Sequence, residues 1–296
     1  MIKNFFDKIQ IKYIENASLK NYNTYRINAS CSYIVFPKDE QQLIEVVKEL
    51  KKEHIKYVLL GNGSNVILAM NHYEGVIIKL DSLNEIKYNG NIVTAGAGCS
   101  LIKLASDTIA KGLSGLEFAT AIPGCVGACT AMNAGAYNSD MASVVIETRC
   151  LNDKCEIVSL TNKELNYTYR DSFLKQHKEY IVLSTTFKLT PGDTIKMQEH
   201  VEERRKKRIS TQPLNMPNAG SVFRNPENMY AGELIEKSNL KGLNINGAEV
   251  SQKHANFIVN TGNATGEDVL KLIKTVQKEV KDNYNVDLLL EQIIIE

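Results

Sequence analysis

A glycine-rich turn near the start of this 296-residue chain is the first candidate for chemistry. Leu59 and Leu60 lead into Gly61-Asn62-Gly63-Ser64-Asn65. Glycines allow positive φ in such a turn, and successive backbone N–H groups can then converge on phosphate oxygens. A strand followed by this turn suits a pyrophosphate, although an ordinary tight turn can have the same composition.

A second stretch of small residues strengthens the case for a cofactor. It is Ala121-Ile122-Pro123-Gly124-Cys125-Val126-Gly127-Ala128, followed by Met132-Asn133-Ala134-Gly135-Ala136-Tyr137. Small side chains leave room for a flat or extended ligand against the backbone. The spacing differs from the G-x-G-x-x-G of a βαβ unit and lacks the Lys of a P-loop, so Rossmann and kinase-like sites are not indicated.

The elements that must position these turns alternate between short apolar runs and amphipathic segments, which predicts a mixed α and β fold. Strands are predicted at residues 33–37, 57–60, 75–80, 85–90, 91–98, 155–160, 180–189 and 286–296. Helices are predicted at residues 39–54, 100–112, around Met132, and at 194–210, 231–237 and 266–284. Because strand-rich sequence gives way to a charged helix after Pro191 and Gly192, we place a domain boundary there.

Composition excludes several classes of protein. The formal charge of +1 provides no general attraction for nucleic acid or anionic membranes. The basic run at residues 204–208 has no interleaved aromatic residues and is typical of a solvated helix face. The six cysteines form no C-x-x-C and have no nearby histidine, so neither a metal site nor a disulfide framework is predicted. With no secretion signal and no membrane-spanning run, we expect a cytoplasmic protein without membrane insertion.

Six ordered motifs, together with a C-terminal segment, resemble the UDP-N-acetylenolpyruvoylglucosamine reductase family from about Thr24 to the end of the chain. The motifs are Asn23-Thr24-Tyr25-Arg26, the 61–65 turn, Ile122-Pro123-Gly124, residues 132–137, Tyr169-Arg170-Asp171-Ser172, and Ala219-Gly220-Ser221-Val222-Phe223-Arg224-Asn225-Pro226. The C-terminal segment, residues 247–260, looks like the family's C-terminal signature. The 219–226 motif is the most specific of these.

The resemblance implies an α+β fold with an FAD-binding two-subdomain module of the vanillyl-alcohol-oxidase type, followed by an α+β substrate-binding domain. The expected divisions are residues 1–80 and 81–192 for the two FAD-binding subdomains and 193–296 for the substrate domain. The implied reaction uses NADPH and noncovalent FAD to reduce the enolpyruvyl group of a UDP-sugar in peptidoglycan biosynthesis. The short connection between Lys237 and Gly247 contains no Tyr, which is similar to the branch of the family that lacks a Tyr-bearing lid. We expect a monomer.

The same resemblance assigns three catalytic residues. Ser221 corresponds to the proton donor, and a hydroxyl can donate if a cation stabilises the alkoxide that remains. Arg170 matches the residue that polarises the enolpyruvyl carboxylate, for which a planar guanidinium is well suited. Glu291 matches a second residue on the enolate side, which could share a proton with the substrate carboxylate. The alternatives are a loop serine, a surface ion pair of Arg170 with Asp171 or Glu164, and an exposed carboxylate at a strand end.

The remaining site assignments concern binding. The residues expected to bind FAD are Gly61, Asn62, Gly63, Ser64, Asn65, Ile122, Pro123, Gly124, Gly127, Ala128, Asn133, Gly135 and Ala136. The residues expected to bind the substrate are Tyr169, Arg224, Asn225 and Lys253. His254 is given at most a supporting role, in strand entry and packing of the substrate domain.

The chain departs from the family pattern at two places. The family commonly reads Glu-Val-Arg-Ile-Ile where this chain has Glu291-Gln292-Ile293-Ile294-Ile295, so the basic residue expected at 293 is missing. Arg224 or Lys253 is a candidate to compensate. Ala121 and Ala128 replace usual glycines, which is tolerable if φ is negative.

Two cysteines near the presumed flavin and two alternative functions leave other interpretations open. Cys125 and Cys129 could suggest a covalent flavin or a redox thiol, but small apolar filling is the favoured interpretation. One alternative function is an FAD oxidase of the same fold class, which the Ser221 loop and the C-terminal signature disfavour. The other is a degenerate nucleotide-binding homologue. The sequence does not decide between NADPH and NADH.

Overall fold

The computed structural model describes residues 2–296, which form two compact units. The first unit comprises Met1–Glu15, Tyr33–Gly61 and Gly75–Arg205, and the second comprises Asn16–Ser32, Asn62–Glu74 and Lys206–Glu296. No helix within residues 2–296 is long and apolar enough to cross a membrane.

Eight α-helices lie in the described part of the chain. They are α1 (Ile2–Lys8), α2 (Glu40–Lys52), α3 (Leu101–Ala110), α4 (Val126–Ala131), α5 (Phe173–Gln176), α6 (Thr194–Thr211), α7 (Ala231–Lys237) and α8 (Gly266–Tyr284). Several of these helices are capped at their N-termini by a side chain. Asp39 accepts from the Gln42 N–H at the start of α2, and Ser100 accepts from the Lys103 N–H at the start of α3.

The strands are mostly short. They are β1 (Lys12–Ser18), β2 (Ser30–Phe36), β3 (Tyr57–Leu59), β4 (Val66–Leu68), β5 (His72–Ile78), β6 (Ile86–Asn89), β7 (Ile92–Gly96), β8 (Leu113–Ser114), β9 (Gly135–Ala136), β10 (Ser139–Asp140), β11 (Val145–Leu151), β12 (Ile157–Thr161), β13 (Ile181–Lys188), β14 (Thr190–Pro191), β15 (Asn244–Ile245), β16 (Ala248–Val250), β17 (Ile258–Asn260) and β18 (Ile293–Ile295). This mixture confirms the predicted α and β character.

A five-stranded antiparallel sheet of order β12-β11-β13-β7-β6 forms the framework of the first unit. Helix α4 packs on it, and Thr130 of α4 shares a 2.9 Å hydroxyl contact with Thr185 of β13. A Cβ at Gly127 would lie 2.8 Å from the Ala97 Cβ, so only glycine allows this close packing.

A four-stranded sheet of order β1-β2-β5-β3 includes a parallel pair, β3 with β5, in which Leu59 is opposite Ile78. Buried Leu43, Val46, Val47 and Leu50 of α2 contribute to the core cluster that includes Val76 and Ile78. This is the apolar helical face that the sequence pattern predicted. Strand β3 ends immediately before the glycine-rich turn and so fixes where the turn begins.

The second unit contains the antiparallel meander β15-β16-β17 and the parallel pair β18 with β4. Its long helix α8 begins with a capping box, in which Thr265 and Asp268 satisfy each other's backbone N–H groups. Buried Val269, Leu272, Ile273 and Val276 lie along one side of the helix.

The prediction of a closing strand over residues 286–296 was wrong in its extent. Only Ile293–Ile295 form β18, and an isolated bridge joins Leu290 to Phe223. Residues 286–289 are irregular, and Leu289 is 63% exposed. The helix predicted around Met132 ends at Ala131, with Met132 as its C-cap.

Candidate active site

The first residue of the glycine-rich turn at residues 61–65 is hydrogen-bonded to a buried lysine. Lys79, which is 5% exposed, donates from Nζ to the Gly61 carbonyl oxygen at 2.6 Å and lies 3.3 Å from the Asp81 carboxylate. A Cβ at Gly61 would lie 2.8 Å from Cys125 Sγ and 3.5 Å from the Ala128 Cβ. The structure therefore brings Gly61 against the second stretch of small residues, as a shared cofactor cradle requires.

The rest of the turn is anchored within the second unit. Gly63 has φ of 63°, and a Cβ there would lie 2.1 Å from the Tyr22 carbonyl oxygen, so the position requires glycine. The Thr24 N–H and hydroxyl both donate to the Gly63 carbonyl, at 3.1 and 3.2 Å. The 23–26 motif therefore supports this turn by direct hydrogen bonds.

The 122–128 stretch leads into helix α4. The Gly127 N–H donates to the Ala97 carbonyl at 2.9 Å, and the Gly124 carbonyl accepts from the Leu101 N–H at 3.0 Å. Ala128 is helical and exposed, and neither it nor Ala121 is among the residues with positive φ. Alanine is therefore compatible with the backbone at both positions.

The thiols of this region are neutral groups in apolar surroundings. Burial raises the pKa of Cys125 and of Cys129, and the pKa increase is large at Cys129. All six cysteines are free thiols, and no cluster of three or more metal-binding side chains occurs within residues 2–296. The pKa increases agree with the interpretation of Cys129 as small apolar filling.

Asn133 connects the end of α4 to the segment that carries Arg170. Its amide nitrogen donates to the Thr168 carbonyl at 2.8 Å and to the Asp140 carboxylate at 3.1 Å, while its oxygen accepts from the Ala142 N–H at 3.0 Å. Both amide protons are thereby used within the protein. The Asn133 side chain therefore has no amide proton left to donate to a cofactor.

Arg170 lies in a tight turn in which Thr168 and Asp171 are paired by two backbone hydrogen bonds. Its φ is 56°, which is unusual for a residue with a Cβ. The guanidinium donates to the Gly135 carbonyl at 2.5 Å and lies 5.1 Å from the centroid of the Tyr169 ring. The structure thus brings three predicted site residues, Tyr169, Arg170 and Gly135, together.

Ser221 lies in a segment whose backbone is hydrogen-bonded to two other segments, one containing Asn256 and one containing Glu291. The Val222 N–H donates to the Asn256 carbonyl at 2.9 Å, and the Glu291 N–H donates to the Val222 carbonyl at 2.8 Å. The buried Asn256 side chain also binds both the N–H and the carbonyl of Phe223. Ser221 and Glu291, both half-buried, are therefore held on adjacent segments of the second unit.

Three predicted substrate-binding residues follow in the second unit. Within residues 2–296 the buried Nε of Arg224 has no hydrogen-bond partner. The Asn225 side chain accepts from the N–H of Ala231, the first residue of α7, at 3.1 Å. Lys253 donates to the Ile209 carbonyl near the end of α6. Of the two cations proposed to compensate for Ile293, Arg224 therefore has the buried donor that awaits a partner, whereas Lys253 is already bonded.

Two side chains that support the site were missed by the sequence analysis. Lys79 supports the Gly61 carbonyl, and buried Gln292 donates to the carbonyls of Ala219 and Gly220. Neither belongs to a motif that predicts such a role. The only available signal was chemical, because a lysine next to an apolar strand and a glutamine next to an isoleucine run need buried partners.

Comparisons with known proteins agree with these geometric findings. Residues 31–161 match the profile of an FAD binding domain, and residues 212–295 match that of the UDP-N-acetylenolpyruvoylglucosamine reductase C-terminal domain. The chain is 40% identical over 296 residues to the UDP-N-acetylenolpyruvoylglucosamine reductase of Bacillus pumilus, covering 99% of this chain and 98% of the relative. It is 40% identical over 271 residues to that of Clostridium perfringens, covering 92% and 89%.

This chain belongs to the UDP-N-acetylenolpyruvoylglucosamine reductase family.

Solved structures support the fold. The UDP-N-acetylenolpyruvylglucosamine reductase of Thermus caldophilus matches with a TM-score of 0.80 and 28% identity, over 97% of this chain and 99% of that one. The 6-hydroxy-D-nicotine oxidase of Arthrobacter nicotinovorans matches with a TM-score of 0.50 and 14% identity, over 62% and 42%. The latter likeness concerns the fold alone. The predicted flavoprotein fold of the vanillyl-alcohol-oxidase type and the predicted FAD cofactor are confirmed.

Proposed function

We propose that this protein uses NADPH, through FAD, to reduce the enolpyruvyl group of UDP-N-acetylglucosamine enolpyruvate to UDP-N-acetylmuramate. The observation that carries the proposal is the fixed position of Ser221 beside the segment of Glu291, on the domain whose sequence identifies the family. An oxidase takes hydride from its substrate and does not protonate a substrate carbon, so the motif that carries Ser221 favours a reductase. The likeness to oxidases is confined to the fold.

The residues of the cradle fit an FAD pyrophosphate. A side chain at Gly63 would overlap Tyr22, and one at Gly61 would press on Cys125, so backbone alone faces a ligand at these positions. Backbone N–H groups in such a turn bind phosphate oxygens. Gly61, Asn62, Gly63, Ser64 and Asn65 would hold the pyrophosphate, and the proposed contacts from Ile122, Pro123, Gly124, Gly127, Ala128, Asn133, Gly135 and Ala136 would hold the remainder.

When bound, FAD supplies the hydride that is added to the terminal carbon of the enolpyruvyl group. Negative charge then develops on the carboxylate, and the guanidinium of Arg170 is suited to bind it because its charge is permanent. The Ser221 hydroxyl gives a proton to the neighbouring carbon, and Glu291 acts on the enolate side. Tyr169, Arg224, Asn225 and Lys253 bind the UDP-sugar in this proposal.

The finer organisation is also part of the proposal. Residues 1–80 and 81–192 form the two FAD-binding subdomains, and residues 193–296 form the substrate-binding domain. The match of residues 31–161 to an FAD-binding profile and of 212–295 to the family's C-terminal domain supports this division. We further propose a cytoplasmic monomer.

Anaerobic stopped-flow absorbance tests the function. The purified yellow protein is reduced with NADPH and then mixed with UDP-N-acetylglucosamine enolpyruvate, and rapid return of the oxidised flavin band is expected. Flavin that stays reduced until air is admitted would instead favour an FAD oxidase or a degenerate homologue. Flavin that NADPH does not reduce would identify a degenerate nucleotide-binding homologue.

A further inference from the structure

Gln292 makes an unusual set of contacts immediately before strand β18. The side chain belongs to a residue that is 4% exposed. Its amide nitrogen donates to the Ala219 carbonyl at 3.1 Å and to the Gly220 carbonyl at 3.3 Å. These are the two peptide carbonyls directly before Ser221, so Gln292 binds the backbone that carries the proposed proton donor.

A buried tyrosine fixes the orientation of this amide. The Tyr25 hydroxyl donates to the Gln292 side-chain oxygen at 3.0 Å, and Tyr25 is fully buried. Burial raises the pKa of Tyr25, so its hydroxyl remains protonated and can serve as the donor. Because the amide oxygen receives this hydrogen bond, the NH₂ group must face the carbonyls of residues 219 and 220.

The residues on either side of Gln292 are hydrogen-bonded to the glycine-rich turn. Asn65, the last residue of that turn, donates from its side chain to the Glu291 carbonyl at 3.3 Å and accepts from the Ile293 N–H at 2.9 Å. The residues on both sides of Gln292 are therefore bonded to Asn65. The side chain of Gln292 thus connects the proposed pyrophosphate-binding turn to the Ser221 segment.

The Ser221 segment needs such a restraint because Gly220 precedes it. Gly220 has φ of 75°, and a Cβ placed there would have no neighbouring atom within 4 Å. Packing therefore does not restrain this residue, and glycine gives its backbone the widest freedom. Its motion is limited by hydrogen bonds: its N–H donates to the Asn218 side chain at 3.0 Å, and its carbonyl and that of Ala219 accept from Gln292.

We propose that Gln292 is a positioning residue that holds the Ala219-Gly220 backbone so that the Ser221 hydroxyl stays where the proton must be delivered. This inference rests on the proposed function, which assigns the proton to Ser221. It also gives a role to a departure of this chain, since the family commonly reads Val at this place. The competing explanation is that Gln292 only satisfies buried carbonyls.

Half-reaction kinetics of Gln292→Met test the inference. Methionine has a similar length but cannot donate, so the carbonyls of 219 and 220 are released. We expect reoxidation of reduced flavin by the enolpyruvyl substrate to slow about 10-fold, since small misplacements of a reacting group have effects of this size. Reduction by NADPH should stay within about 2-fold of wild type because it does not use Ser221. Tyr25→Phe should act in the same direction with a smaller effect.

Gln277→Met is the matched control, because Gln277 also donates from its side chain to a backbone carbonyl, that of Leu288, at 2.9 Å in the same unit. It should leave both half-reactions unchanged. In the Ser221→Ala background, Gln292→Met should cause no further slowing, since no hydroxyl remains to be positioned. Equal slowing of both half-reactions, or a full additional loss in that background, would overturn the inference.

Amide hydrogen exchange provides a readout that does not depend on turnover. Peptides covering residues 218–223 should exchange faster in Gln292→Met than in wild type, and should be unaffected in Gln277→Met. Unchanged exchange in Gln292→Met would refute the positioning role. If wild-type flavin is not reoxidised by the substrate, the proposed function fails, yet exchange still decides whether Gln292 holds the loop.

Discussion

Arg170 has a constrained side chain within its own unit. Its backbone is left-handed, with φ of 56°, and its guanidinium donates to the Gly135 carbonyl and lies 5.1 Å from the centroid of the Tyr169 ring. Residues in such backbone regions persist only where the surroundings enforce them. A charged group that is already oriented needs less reorganisation when a carboxylate arrives. Arg170 therefore has the features of a preorganised site residue.

Ser221→Ala should separate the two half-reactions. Only the reaction with the enolpyruvyl substrate needs a proton, so reduction of the flavin by NADPH should be almost intact. Reoxidation by the substrate should slow by about 10²- to 10⁴-fold, the usual contribution of a positioned acid. Stopped-flow absorbance measures both rates on one sample.

Ser210→Ala is the control for this substitution, because the Ser210 hydroxyl is exposed and donates only locally, to the Lys207 carbonyl at 2.8 Å. Both of its half-reaction rates should match those of wild type. Equal losses in the two half-reactions of Ser221→Ala would refute the assignment of Ser221 as proton donor.

Long elements with a regular apolar pattern could be predicted, whereas short paired strands could not. Helices α2, α7 and α8 lie where their 3.6-residue periodicity placed them, because one apolar face of each packs on a core. Strands β8 and β14 have two residues each and are formed by pairing with each other, with Ser114 opposite Thr190, rather than by an apolar pattern. Pairing partners distant in sequence leave no local signal.

The same division applies to the candidate site. Ser221 and the glycine-rich turn were found from motifs, since turns and close backbone approach demand particular residue types. Lys79 and Gln292 were not found, because the carbonyls that they bind come from other segments of the chain. Their importance depends on burial, and burial follows from the complete fold.

Lys79→Met should weaken FAD binding. Lys79 binds the Gly61 carbonyl, and its loss would free the first peptide of the turn. Because Asp81 is largely exposed, the substitution leaves no buried unpaired carboxylate. A charge-assisted hydrogen bond contributes about 1.5–3 kcal/mol, and because Lys79 acts on the turn and not on FAD itself we expect the lower end, a loss of about 10-fold in FAD affinity. Fluorescence titration of the apoprotein with FAD measures it.

Lys87→Met is the matched control, since Lys87 is an exposed lysine of the same unit, paired with Glu85 at 3.0 Å. Its dissociation constant for FAD should equal that of wild type. If Lys79→Met also binds FAD as wild type does, the lysine has no role in shaping the turn.

Thr265→Ala should destabilise the protein in a pH-dependent way. The substitution removes the capping box of α8, at a cost of about 1 kcal/mol in the free energy of unfolding. The hydrogen bond from Thr265 lowers the pKa of Asp268. A lowered folded-state pKa stabilises the protein above the unfolded value of about 3.9, and this contribution is lost as pH falls through the folded pKa.

The difference in stability between wild type and Thr265→Ala should therefore be the same at about pH 7 and 5 and become smaller below about pH 4. Urea unfolding at each pH measures it. Thr275→Ala serves as control, because Thr275 donates to the Lys271 carbonyl and has no bonded carboxylate. A Thr265→Ala difference that stays constant down to about pH 3 would contradict the linkage to Asp268.

At the scale of the whole molecule, the charge is nearly balanced. There are 35 Lys plus Arg against 34 Asp plus Glu. A protein with so small a net charge does not concentrate anionic nucleotides by its overall field. Recognition of FAD, NADPH and a UDP-sugar must then come from backbone N–H groups and individual cations. The loss of a single cation from a binding site therefore lowers ligand affinity more than it would in a strongly basic protein.

Ile293→Arg should increase the affinity for a nucleotide ligand, because it restores the basic residue that the family commonly has. Ile293 is 36% exposed, so an arginine can be placed there without burying its charge. One added charge-assisted hydrogen bond is worth about 1.5–3 kcal/mol, which predicts a decrease of about 10- to 150-fold in the KM for the UDP-sugar or in the Kd for FAD. The gain should diminish at high salt.

Ile294→Arg is the control, because Ile294 is 38% exposed in the same strand and successive strand side chains point to opposite faces. It adds the same net charge but directs it elsewhere. If both variants increase affinity equally, the effect comes from net charge alone. If Ile293→Arg has no effect, another cation already fulfils the function, and Arg224 is the first candidate because its buried Nε has no partner within residues 2–296. Arg224→Lys should then raise the KM for the UDP-sugar more in the wild-type background than in the Ile293→Arg background. In the latter, the added arginine would substitute for Arg224.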